Sequence, residues 1–162
     1  MREHTIIRKA NIKDFEQVHD LVMQVHKIHV ENRDDIYKNI DPIDYNTFEE
    51  ELLNTDNIYL VAEYNSRIIG FCFAEIKSIF NNKIMKDRKI IHISDICVKK
   101  ENQKKGIGKK LYNEILKIAE ELKIDSVELM VWGFNDNAIN FYKSLGMKVK
   151  NLKFEQKIIY RY

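Results

Sequence analysis

The run Lys99-Lys100-Glu101-Asn102-Gln103-Lys104-Lys105-Gly106-Ile107-Gly108-Lys109-Lys110 gathers lysines and two glycines immediately before an amphipathic stretch. Glycines at 106 and 108 allow close backbone approach, and the free amides of a first helical turn can donate to an anion. Phosphate binding is the chemistry this pattern suits; the alternative is a solvated turn that needs glycine only to bend. A nucleotide-triphosphate loop of the GxxxxGK[ST] type does not fit, because Glu101 stands five positions before Gly106 and Lys110 occupies the hydroxyl position. A dinucleotide fingerprint does not fit either, since Leu111 replaces the third glycine of GxGxxG. Upstream, His92, Ser94 and Asp95 interrupt the otherwise apolar run Ile90–Val98. Such polar residues in an apolar strand are candidates for proton transfer or substrate binding, or for buried positions satisfied by hydrogen bonds. In a regular strand His92 and Ser94 share one face and Asp95 takes the other, unless a bulge intervenes.

The elements that must position these residues follow from hydrophobic periodicity. Thr5–Arg8 reads as a short strand, and Ile12, Phe15, Val18, Val22 and Val25 mark one face of a helix reaching about His29. Asp44 caps a second helix with Phe48 and Leu52 inward. Ile58–Tyr64 and Ile68–Ile76 form a hairpin around Asn65-Ser66-Arg67, and residues 77–89 make a loop or a ragged extension of it. After strand Ile90–Val98 come a helix from Ile107 to about Lys123, a strand Ser126–Trp132, and a short helix from about Asn137 to Leu145 stopped by Gly146. The strand–helix–strand crossover favours parallel pairing of its two strands. The tail 147–162, with its alternating Val149-Lys150 and Lys157–Tyr160, is expected to add antiparallel edge strands.

The chain has 162 residues, 44% hydrophobic and 32% charged, which suits one folded domain over 1–162 and argues against disorder. Its apolar runs are strand-sized, too short to span a bilayer, and charges within residues 1–15 leave no apolar core for a secretory signal, so a cytoplasmic chain is expected. Cys72 and Cys97 lie singly in apolar runs and read as buried thiols. A net charge of +2 gives no general affinity for nucleic acid.

Two ordered motifs make the chain resemble the GCN5-related N-acetyltransferase superfamily. Gln103-Lys104-Lys105-Gly106-Ile107-Gly108 matches the family's Q/R-x-x-G-x-G/A at every defined position, after the strand end Ile96-Cys97-Val98. Asn135-Asp136-Asn137-Ala138-Ile139-Asn140-Phe141-Tyr142-Lys143-Ser144-Leu145-Gly146-Met147 resembles N-x-x-A-x-x-F/L-Y-x-x-x-G-F, with Met147 in place of phenylalanine. The resemblance implies a mixed α/β fold: a mostly antiparallel central sheet flanked by helices, with a parallel strand pair splayed at the cofactor site.

It also implies acetyl-coenzyme A as cosubstrate, with no metal. Amides from Gln103 through Lys104, Lys105, Gly106, Ile107 and Gly108 to Lys109 would hold the pyrophosphate, and the pantetheine arm would pair with backbone around Ile96, Cys97 and Val98. Asn135 and Ala138 would contact the cofactor, and Tyr142 would protonate the departing thiolate. A neutral amine would attack the acetyl carbonyl directly, with the Val98 amide stabilising charge on the oxygen. For the base, the resemblance points to His92, at a position where some family members place a catalytic glutamate, and Asp95 is the second candidate. The implied acceptor is a primary amine, preferably of a small molecule, with a peptide N-terminus as the alternative. A cofactor-binding regulator without turnover, or a polyanion binder using the lysine turn, would be different classes of function. No membrane or nucleic-acid partner is expected, and a homodimer fits family habit.

Two further clusters stand outside these motifs. His19, His26 and His29 are spaced so that helical side chains could approach a zinc ion, but without a clear fourth ligand or zinc motif they better suit an exposed or partly packed helix face. Glu31, Asp34, Asp35, Asp41 and Asp44 crowd a connection that, in this fold, borders the acceptor site, where acidity would attract an amine. Trp132 and Phe134 are candidates for lining that pocket.

Overall fold

The computed structural model describes residues 4–159, which fall into two compact units, Met1–Met130 and Val131–Tyr162. The first unit is built on a five-stranded sheet in the order β1 (Ile6–Lys9), β2 (Asn57–Tyr64), β3 (Arg67–Ile79), β4 (Arg88–Val98) and β5 (Ser126–Leu129). The first four strands pair antiparallel and the β4–β5 pair is parallel. The parallel pair follows from the crossover through α3 (Ile107–Glu121), since parallel neighbours need a long connection. Asn65 and Ser66, with φ of 48° and 60°, make the two-residue turn between β2 and β3, as the right-handed twist of a hairpin favours.

The β3–β4 hairpin is longer than its apolar core suggests. Pairing continues through Ser78↔Lys89 and Ile79↔Arg88, so both ends of the polar interval are strand, and residues 80–87 make the connection. β5 is shorter than expected and stops at Leu129, short of Trp132. Its last register pair is Ile93↔Leu129, one residue before the β4 bulge at Ser94; a bulge bends its strand, and here the parallel ladder ends. Among the described residues, the edge of β4 opposite β3 therefore carries no paired strand from Ser94 to Val98.

α1 (Phe15–Asn32) and α2 (Tyr45–Leu53) cover one face of the sheet. Val18, Leu21 and Phe48 bury themselves there against Val61, Phe71, Phe73 and Cys97. The start of α1 is tightened by an extra turn, Ile12–Asp14, capped by Asn11, whose Asp14 is held by both guanidinium nitrogens of Arg8 at 2.7 and 2.8 Å. α3 turns Ile107, Leu111, Tyr112, Ile115 and Ala119 inward. Its approach depends on Gly70: a Cβ there would sit 2.8 Å from the Cys97 carbonyl oxygen and 3.5 Å from a Leu111 methyl. Because the nearer atom is backbone, Gly70→Ala is expected to lower the unfolding free energy by about 1–3 kcal/mol in urea titration; unchanged stability would show that β3 and β4 can move apart there.

The second unit contains α4 (Asp136–Ser144), capped by the Asn135 side chain at its start and ended by Gly146 at φ 88°. The tail departs from expectation. Residues 147–159 form neither strand nor helix, and Val149, Leu152, Phe154, Ile158 and Ile159 are exposed. An alternating segment without hydrogen-bonded neighbours does not hold as a strand. Residues 160–162, including the end of the expected Lys157–Tyr160 strand, lie outside the described residues.

Candidate active site

The bulge in β4 decides where its polar residues point. Phe73 pairs with Asp95 and Ala74 with Ile93, leaving Ser94 as the extra residue, while Glu75 pairs with His92. Paired residues share a face, so His92, Asp95 and Cys97 lie on the side of the sheet covered by α1 and α2. This replaces the regular-strand arrangement, in which His92 and Asp95 would be opposed.

Asp95 sits among rings: its register partner Phe73 stacks on Tyr59 at 4.0 Å and tilts against Phe71 at 4.3 Å. No described side chain pairs with its carboxyl, and burial alone pushes its pKa up to about 6. The same negative charge, together with burial, holds the Cys97 thiol protonated by pushing it up to about 12. His92 is half-buried, and burial together with the nearby Lys77 ammonium lowers its pKa, favouring neutral imidazole.

Beside these groups lies a cavity of about 310 Å3 lined by Glu51, Asn54, Asn57, Tyr59, Glu75 and Ser94, with Ala74. Glu51 accepts a hydrogen bond from the Tyr59 hydroxyl at 2.9 Å and another from the Asn57 amide. Burial, the bond to Glu51 and the charges of Glu51, Glu75 and Asp95 all hold the Tyr59 phenol protonated. The sequence did not single out Glu51, Tyr59 or Glu75. They belong to three elements: the register of β2, β3 and β4 brings Tyr59 and Glu75 near Asp95, and the packing of α2 adds Glu51 through its bonds to Asn57 and Tyr59.

At the far end of β4 the chain makes a short helical turn, Lys100–Asn102, then passes Lys104 at φ 59° and Gly106 at φ 82° into α3. No side chain caps α3, so the first-turn amides of Ile107, Gly108 and Lys109 have no acceptor within the helix. Gln103, Lys104 and Lys109 are exposed, Lys105 is half-buried with its ammonium on the Glu101 carbonyl at 2.7 Å, and Ile107 is buried. Open amides at a helix start, within a lysine-rich segment, suit a phosphate. The open backbone of Ile96, Cys97 and Val98 leads directly into this turn.

In the second unit, the Asn135 side-chain oxygen accepts from the Ala138 amide at 3.1 Å, so it is engaged as a helix cap. Tyr142 is half-buried with its ring 5.3 Å from that of Phe141. Trp132 and Phe134 stack at 6.1 Å.

The histidine and acidic clusters resolve into separate local contacts. His19 meets Asp41 at 2.9 Å, His26 meets the Lys38 carbonyl at 2.9 Å, and His29 stacks on Tyr37. Among the described residues, no group of three His, Cys, Asp or Glu side chains could hold a metal ion. Asp35 pairs with Arg33, Asp41 also accepts from the Ile43 amide, and Asp44 caps α2 through the Thr47 amide. The acidity of that connection is therefore largely spent on its own fold.

A parallel pair whose ladder ends at Ile93↔Leu129, a glycine turn opening a helix and polar groups on the central strand frame the site. The chain belongs to the acetyltransferase (GNAT) family, whose family model matches residues 22–147. An uncharacterised N-acetyltransferase of Methanocaldococcus jannaschii is 32% identical over 94 residues, covering 58% of this chain and 40% of that protein. An N-alpha-acetyltransferase of Sulfurisphaera tokodaii is 31% identical over 107 residues, covering 64% of each. The chain thus spans less than two thirds of the length of these relatives. A crystal structure of a mutant Bacillus halodurans protein superposes with a TM-score of 0.92 at 30% identity, covering 95% of this chain and 99% of that one. Among the described residues, no helix is long and apolar enough to cross a membrane.

Proposed function

We propose that the chain is an acetyl-coenzyme A-dependent N-acetyltransferase acting on a primary amine of a small cationic molecule, as one cytoplasmic domain over 1–162. The observation that carries the acceptor is the acid-lined cavity on the α1/α2 side of β4, beside Asp95. An ammonium group gains from Glu51 and Glu75 there, and Asp95, its pKa lifted by burial to about 6, takes up a proton directly or through water. His92, neutral and on the same face, is the second proton acceptor.

The cofactor's fit rests on the uncapped start of α3 and the open edge of β4. Amides from Gln103 to Lys109 would hold the pyrophosphate, the backbone of Ile96, Cys97 and Val98 would line the arm, and Asn135 and Ala138 would be further cofactor contacts. When bound, coenzyme A supplies the acetyl group as a thioester and a thiolate as leaving group. Tyr142 would supply the proton for that thiolate, and the Val98 amide would donate to the acetyl oxygen.

Thiol release from acetyl-coenzyme A, measured across polyamines, aminoglycosides, amino acids and peptides, tests this reading. Turnover with small amines is the expected result. Turnover confined to peptides would favour N-terminal acetylation, a reading supported by the Sulfurisphaera relative. Cofactor binding without turnover would leave a regulatory module, and a partner role for nucleic acid is not proposed. Tyr142→Phe is expected to lower kcat about 10–100-fold with KM for acetyl-coenzyme A within twofold; an unchanged rate across the pH profile would remove Tyr142 from proton transfer. A homodimer is also proposed, supported by the exposed apolar residues of the tail.

A further inference from the structure

Val98 ends β4, and its carbonyl is held from two sides. Gln24, reaching across from α1, donates its amide to the Val98 oxygen at 3.1 Å, and Gln103 donates from the lysine turn at 3.0 Å. A carbonyl oxygen has two acceptor positions, so these two side chains fill it. The next residue is committed the other way, since the Lys99 amide donates to the Ile69 carbonyl of β3 at 2.9 Å. Alternation of backbone groups along a strand then turns the Val98 amide and carbonyl toward the edge that β5 leaves open. Of these two groups, only the Val98 N–H is left to a ligand on that edge.

Gln24 is tied to this place more firmly than a surface side chain would be. It is half-buried, its amide also contacts the Cys97 sulfur at 3.3 Å, and the Cys97 thiol, kept protonated by burial, points at the Leu21 carbonyl at 3.6 Å. One turn of α1 thus grips residues 97 and 98 by three contacts, at the point where the strand loses its neighbour.

We infer that Gln24 is a positioning residue for acetyl transfer, holding the Val98 peptide so that its N–H presents to the arm and acyl group of acetyl-coenzyme A. It touches neither cosubstrate nor acceptor and acts through Val98. The inference rests on the proposed reading of the β4 edge as the seat of the arm, and it adds a residue outside both sequence motifs.

Gln24→Glu tests it, because the side chain keeps its size while the donor becomes a carboxylate oxygen facing the Val98 carbonyl. At pH 8 the dissociation constant for coenzyme A and the KM for acetyl-coenzyme A are expected to rise, and kcat to fall, each about tenfold relative to wild type, with the acceptor KM within twofold. At pH 5 the protonated carboxyl again donates, and the ratio of variant to wild-type affinity is expected to return toward one. Gln24→Met, which cannot donate at any pH, should show the same loss at both values. Wild-type affinity of both variants at pH 8, or a loss in Gln24→Glu that ignores pH, overturns the inference. A second measurement needs no variant: in the wild-type chain, coenzyme A should slow hydrogen exchange at the Val98 amide, and unaltered exchange overturns the inference. Wild-type chain that binds no coenzyme A overturns the underlying reading as well, which separates the two failures.

Discussion

Asp95→Asn is expected to give a more stable and nearly inactive protein. The carboxyl has no partner among the described residues and is lifted by burial from its ordinary 3.8 to about 6, so the folded state binds its proton more tightly than the unfolded chain does. Below about pH 4 both states are protonated and burial carries no ionic cost. Between pH 4 and 6 the unfolded chain ionises first and stability falls. Above pH 6 the full cost stands, about 3 kcal/mol for a shift of this size. Asparagine carries no charge to desolvate, so urea unfolding at pH 7.5 should show a gain of about 1–3 kcal/mol that vanishes near pH 3.5. Acetyl transfer should lose about 100–1,000-fold in kcat, and the acidic limb of its pH profile near 6 should disappear. Retained kcat together with a retained limb would assign proton uptake to His92 or water instead.

Gly106→Val is expected to damage the opposite end of the site. Gly106 caps α3 at φ 82°, where a β-branched residue clashes with its own backbone. The turn must then open or shift, and the amides after it lose their common direction. Half-saturation by acetyl-coenzyme A should rise at least tenfold, while kcat at saturation changes far less, because the turn binds phosphate and the chemistry lies along β4. Equal losses in kcat and affinity would mean that the turn also positions the acyl group.

The parts of this fold that were legible in the sequence are those set by local pattern. The stripe Ile107, Leu111, Ile115 and Ala119 announced α3, and Gln103–Gly108 announced the turn before it. The crossover between β4 and β5 announced the parallel pair. What stayed hidden needs registers between distant segments. Glu51, Tyr59 and Glu75 form no recognisable motif in the chain; the pairing of β2, β3 and β4 brings Tyr59 and Glu75 near Asp95, and the packing of α2 brings Glu51 to Tyr59. Gln24 looked like one polar residue on a helix, because its partner Val98 lies 74 positions away. The tail misled for the opposite reason: its alternation was visible, but alternation gives a strand only when a neighbour supplies hydrogen bonds.

The extra residue in β4 acts as a frame shift. Before Ser94, His92 and the α1/α2 face fall on even positions; after it, Asp95 and Cys97 carry that face on odd ones, while Ile96 and Val98 take over from Ile91 and Ile93 on the other. Position-by-position comparison of this strand with a relative that lacks the bulge would therefore set core residues against polar ones along half its length. A gap placed at Ser94 restores the correspondence, and substitutions on either side of it have to be read in separate phases.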